Sequence, residues 1–188
     1  MLDRYLADTI KFIRSVGIEV TMGEVPPGSF LPNILIQNGS LLVSEHCAAM
    51  DVLHEAGHLA ITPTCYRKRL SGDLDNDEIY AGIWEDVSHL HPDHPLVRAL
   101  LQMSDTEATA WAWAAGTAAG LPPETIIMDH GYDGSGRHVR TMLSLRQYMG
   151  INGLRAAGMC STQGPDSYPK MLKWLQDADQ TSPFKPPY

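Results

Sequence analysis

The stretch His54-Glu55-Ala56-Gly57-His58 decides how this chain is read. Residues at i and i+4 share one face of a helix, so both imidazoles can reach a single metal ion. Glu55 lies about 100° round the helix from His54, where it can act on a water beside the metal rather than bind the metal itself. Two ligands and a general base therefore come from five consecutive residues, in the H-E-x-x-H spacing of zinc hydrolases.

Outward from that motif, residues 46–62 read as one helix, with Ser44 as its N-cap and Ala49, Val52, Leu53, Ala56 and Ala60 as its apolar stripe. His54 and His58 fall on another face, together with Cys47 and Asp51. Histidines buried only to fill space would not need that shared polar face. Gly57 costs the helix roughly 1 kcal/mol against alanine, which predicts a close approach by another backbone at that position.

Upstream, Leu2, Tyr5, Leu6, Ile10, Ile13 and Val16 recur at helical period until Gly17 ends the run. Residues 18–25 favour a strand, and 33–45 read as a hairpin turning at Asn38-Gly39, a pair suited to positive φ. A small, mostly antiparallel sheet should thus lead into the metal-binding helix. Downstream, an Asp-rich stretch to 76 precedes helices over 77–89 and from 95 towards 116, the second restarting near Ser104. A Gly- and Asp-rich loop at 129–136 then separates further helices at 137–148 and 168–178, before a Pro-rich tail at 181–188. The expected fold is α+β, a mainly helical domain over 1–180 with its core in 1–120 and a helical extension in 121–180.

The 188 residues suit one domain. A net charge of −8 offers no basic field for phosphates and argues against direct nucleic-acid binding. The N-terminus lacks the basic and apolar run of a secretory signal, and no apolar stretch is long enough for a membrane span, so a cytoplasmic protein without membrane contact is expected. Cys47, Cys65 and Cys160 have no C-x-x-C spacing and read as small buried side chains.

Catalytic zinc takes three protein ligands and keeps one position open, so a further His, Asp or Glu must come from downstream. Ile61 and Thr64 stand where the metzincin pattern needs glycine and histidine, which excludes that class. Glu78, Asp105 and Glu107 remain. Ser104-x-x-Glu107 also fits a capping box, in which the glutamate would bond the Ser104 amide instead.

The segment Glu107-Ala108-Thr109-Ala110-Trp111-Ala112 resembles the pattern E-A-(N/D)-x-(F/W)-A of the ImmA/IrrE-like metallopeptidases, departing from it at Thr109. With the H-E-x-x-H helix, the resemblance covers roughly residues 1–120 and implies a zincin-like fold of the minimal gluzincin type. It also implies one zinc ion held by His54, His58 and Glu107, with Glu55 as general base. The activity so implied is hydrolysis of a peptide bond in a specific protein, such as a transcriptional regulator. The insertion between the two helices is longer than the family's, and the segment after Leu121 has no counterpart in it.

Hydrolysis also needs a donor for the developing oxyanion, and Tyr132 and His138, in or beside the glycine-rich loop, are the candidates. Asp51 and Asp105 are candidates to orient the imidazoles. Of Trp111 and Trp113, which cannot share a helix face, one is expected in the core and the other at the cleft rim. The alternative to a peptidase is a catalytically silent zinc protein of the same fold that binds a protein partner.

Overall fold

The first helix, α1 (Arg4–Ser15), buries Leu6, Ile10 and Ile13 on one side. Gly17, at φ +98°, turns the chain into strand β1 (Val20–Met22). This computed structural model describes residues 4–27, 29, 31–72 and 77–184, without the side chains of Asp77 and Glu78. The expected hairpin forms from β2 (Ile34–Gln37) and β3 (Ser40–Val43), with Asn38 and Gly39 at φ 49° and 76° in its turn.

The strand order is β1-β3-β2, with β3 antiparallel to β2 but parallel to β1. The sheet is therefore mixed rather than mostly antiparallel. The connection across 23–33 places the second hairpin strand, not the first, beside β1. That register aligns Val20, Leu41 and Ile36 in one row and Val43 with Ile34 in the next, and all five are buried.

Helix α2 (Ala49–Ile61) starts later than the sequence pattern suggests. Its N-cap is Ala48, whereas the Ser44 hydroxyl accepts from the His46 amide at 3.1 Å and shapes a turn ahead of the helix. Beyond it come α3 (Thr64–Arg67), α4 (Asp77–Val87), α5 (Pro95–Leu100), α6 (Asp105–Ala118), α7 (Pro123–Ile126), α8 (Gly136–Ser144) and α9 (Met149–Ala156). Among the described residues, no helix is long and apolar enough to cross a membrane.

Helix α6 lies at the centre, buried continuously from Glu107 to Gly116. Trp111 and Trp113 are both in the core, so neither rims a cleft. The approach expected at Gly57 is supplied by α6: a Cβ at 57 would lie 2.5 Å from the Ala108 carbonyl oxygen. On another side of α6 sits α9, which the sequence pattern misses because two glycines and an asparagine weaken its helical signal. Those glycines make the contact possible. A Cβ on Gly150 would strike the Thr106 carbonyl, and one on Gly153 would strike the Glu107 carboxylate.

Residues 168–178 are not the helix that their apolar spacing predicts. Tertiary bonds hold them as an irregular strap instead. The Tyr168 hydroxyl donates to the Ala110 carbonyl at 2.8 Å, and Trp111 Nε1 donates to the Trp174 carbonyl at 2.9 Å. The Gln176 amide donates to the Ala60 carbonyl at 2.8 Å, and the Thr64 amide donates to the Gln176 carbonyl at 3.0 Å. The chain after α9 therefore joins α2 to α6 rather than extending the domain with another helix. Of the Pro-rich tail, Phe184 packs against His91 and His94, and 185–188 lie outside the described residues. Cys47 and Cys160 are buried, but Cys65 is exposed, against the expectation of three buried thiols.

Candidate metal centre

His54 and His58 stand one turn apart on α2, and their Nε2 atoms are 3.2 Å apart. The first turn of α6 brings Asp105 Oδ1 to 3.1 Å from His58 Nε2 and 3.7 Å from His54 Nε2. Two nitrogens and one oxygen thus converge within 4.8 Å, a group that could hold a metal ion. The point equidistant from the three atoms lies about 1.9 Å from each. These separations are compatible with the usual zinc distances of about 2.0–2.2 Å to nitrogen and carboxylate oxygen, so His54, His58 and Asp105 would be the residues to hold the ion.

Burial is graded across the group. The side chains of His58 and His54 are 11% and 21% exposed, and that of Asp105 is 78% exposed, so the centre opens on the Asp105 side. Hydrogen bonds from His54 and His58 hold the Asp105 carboxyl well below the usual carboxylate range. His54 Nδ1, on the far side of its ring, is buried without a hydrogen-bond partner among the described residues. Asp51, one turn earlier on α2, is close enough to feel the charge of His54, but burial outweighs that attraction and raises its pKa.

Glu107, the ligand that the resemblance implies, is elsewhere. Its carboxylate accepts from the Ser104 hydroxyl and, at 3.0 Å, from the Thr106 hydroxyl, and it packs against Gly153 of α9. The capping-box alternative does not form either, because the bonds reach hydroxyls and not the Ser104 amide. Helical geometry explains the exchange. Asp105 and Ala108 are three apart and share a face, whereas Glu107 lies about 200° round from Asp105. With Ala108 pressed on Gly57, Asp105 is the acidic residue turned towards the imidazoles. Glu78 is in α4, and its side chain lies outside the described residues.

The Glu55 carboxyl is raised by burial, and the neighbouring His58 and His54 partly offset that rise. Tyr132 also reaches the centre, with its ring 6.3 Å from that of His54 and nearly perpendicular to it. Its hydroxyl is 2.9 Å from the Thr109 hydroxyl, and burial pushes its pKa up to about 12. The loop that delivers it is strained. Tyr132, Asp133 and Gly134 follow one another at φ 56°, 54° and 80°, a left-handed run that costs an aromatic residue roughly 1 kcal/mol or more. Arg140 holds this loop by donating to the Ile127 carbonyl and to Asp129, while the Met128 amide bonds Met50 Sδ at 3.3 Å.

His138, the other candidate donor, is exposed on α8 and does not join the converging group. Thr109 and Tyr148, absent from the residues singled out by sequence, both belong to the surroundings of Tyr132. The departure of Thr109 from the N/D of the family pattern was the signal that could have marked it. No family model, curated protein or solved structure matches the chain.

Proposed function

We propose that this protein is a zinc-dependent metallopeptidase in which His54, His58 and Asp105 hold the metal and Glu55 is the general base. The observation that supports this most strongly is the convergence of His54 Nε2, His58 Nε2 and Asp105 Oδ1 at zinc-compatible separations, next to the half-buried Glu55 on the same helix. When bound, zinc supplies Lewis-acid polarisation of a carbonyl and a water of lowered pKa.

The chain's own groups divide the remaining work. Glu55 accepts a proton from the attacking water and passes it to the leaving nitrogen as the C–N bond breaks. The Tyr132 hydroxyl donates to the oxygen on which negative charge develops, and its strained backbone is the cost of bringing it there. Opening on the Asp105 side gives an extended chain access to the centre. The substrate class is a protein, with a transcriptional regulator as the partner that the resemblance implies.

Elemental analysis of the protein purified without added metal tests the centre, and it also distinguishes zinc from the manganese, iron or cobalt that such ligands accept. About one zinc per chain, lost in His58→Ala and Asp105→Ala but kept in Glu107→Ala, is the expected result. A wild type that neither contains nor takes up zinc would sink the metal centre. Zinc without cleavage of any member of a peptide library would replace the peptidase by the zinc-holding binding protein.

A further inference from the structure

The loop that carries Tyr132 is tied to the helices of the metal centre at two points. Among the described residues, the hydrogen bonds from 127–136 to α2 and α6 are the Met128 amide on Met50 Sδ, at 3.3 Å, and the Tyr132 hydroxyl against the Thr109 hydroxyl, at 2.9 Å. The bonds of Arg137 and Arg140 stay within 127–140, so they shape the loop without fixing it on α2 or α6. Gly131 completes the Met50 contact. A Cβ there would lie 3.1 Å from Met50 Sδ and 3.3 Å from its methyl carbon, tighter than ordinary contact, so it is bare backbone that lets the half-buried thioether lie against the loop. Met50 stands one turn before His54 on the same face of α2, and that face therefore carries both an imidazole of the centre and the anchor of the loop.

Tyr132 needs such an anchor, because a left-handed backbone relaxes unless its surroundings outweigh the strain. That strain is comparable with the net worth of one hydrogen bond, so a single bond decides where the ring stands. The Thr109 contact fixes only the hydroxyl end of the ring, whereas Met50 fixes the backbone four residues earlier. Thioether sulfur is a weak acceptor, yet it is the partner of the Met128 amide. A side chain of the same size without an acceptor would leave that amide unpaired.

We propose that Met50 is a positioning residue for Tyr132: its sulfur holds Met128, and through it the strained turn, so that the phenol stays beside His54. This inference rests on the reading of Tyr132 as the donor at the metal centre. The first test needs neither metal nor substrate. The rings of His54 and Tyr132, with centroids 6.3 Å apart, should show a nuclear Overhauser effect in the full chain. In Met50→Leu that effect should be lost and the Met128 amide should exchange with solvent about ten-fold faster, while the amides of α6 keep their protection. Met50→Gln, which supplies an oxygen as acceptor, should restore both. An undiminished ring-to-ring effect in Met50→Leu overturns the proposal, as does failure of Met50→Gln to restore it. Equal loss of protection in α6 would mean general destabilisation, which overturns it too.

Inorganic phosphate, titrated by calorimetry into the zinc-loaded full chain, separates this proposal from the reading beneath it. Met50→Leu should weaken phosphate about as much as Tyr132→Phe does, and should add nothing in the Tyr132→Phe background. If the ring-to-ring effect depends on Met50 but phosphate affinity is indifferent to Tyr132, the positioning role stands and Tyr132 fails as the donor. If phosphate depends on Tyr132 but not on Met50, the reverse holds.

Discussion

Gly57 and Ala108 set the position of the candidate metal centre: a Cβ at 57 would lie 2.5 Å from the Ala108 carbonyl oxygen, closer than real Cβ atoms come. This contact fixes the separation and rotation of α2 against α6, and Asp105 meets the imidazoles only at that rotation. Gly57→Ala would gain about 1 kcal/mol of helix propensity but cost about 1–3 kcal/mol by overpacking against backbone. Net destabilisation together with weaker zinc binding is expected. Urea unfolding and a chelator competition would measure both, and a more stable variant with undiminished zinc affinity would contradict the account.

The two acidic residues at the start of α6 should give opposite phenotypes. Glu107→Ala removes a buried carboxylate that packs against Gly153 and accepts from the Ser104 and Thr106 hydroxyls, and should lower stability by about 1–3 kcal/mol while zinc is retained. Asp105→Ala removes an exposed side chain and should barely change the stability of the metal-free protein, yet it should abolish tight zinc binding. Thermal melts in chelator, paired with metal titrations, separate the two. Loss of zinc in Glu107→Ala with normal binding in Asp105→Ala would reverse the ligand assignment.

Gly150 and Gly153 let α9 lie on α6, but they do not face the same kind of neighbour. An added methyl at 150 meets the Thr106 backbone, which cannot yield without moving a helix, whereas at 153 it meets the end of the Glu107 side chain. Gly150→Ala should therefore destabilise more than Gly153→Ala, by about 1 kcal/mol or more. Denaturant midpoints compared at constant slope would show the order.

Glu55→Gln keeps the size of the side chain and removes its capacity to accept a proton. Zinc content should match the wild type, while peptide hydrolysis falls by at least about a hundred-fold. Appreciable turnover in this variant would assign the base elsewhere.

The three thiols should react unequally. Cys47 and Cys160 are buried and pushed up to about 12 and about 11, largely by desolvation, so little thiolate forms near neutral pH. Cys65 is exposed. Iodoacetamide at pH 8 should modify one thiol per native chain and three in urea, as read by mass spectrometry. Rapid modification of Cys47 in the native protein would show that α2 opens at its start.

The local features of this protein were legible in its residues. The i, i+4 imidazoles, the Asn38-Gly39 turn and the close approach at Gly57 follow from backbone geometry over a few residues, and each is present. The third converging atom, an oxygen, was not legible, because Asp105 and Glu107 stand in the same turn of α6. Only the rotation imposed by the Gly57–Ala108 contact decides which of them faces α2. Helix α9 was missed, and the strap at 168–178 misread, for the same reason in opposite directions. Poor helix formers gain a helix where glycines permit contact with α6, and an apolar run that suits a helix loses it to the anchors at Ala110, Trp111 and Ala60. Sequence by itself determined the imidazole pair and its adjacent glutamate, since helical periodicity is local. The carboxylate that joins them, and the phenol beside them, depended on packing between segments far apart in the chain.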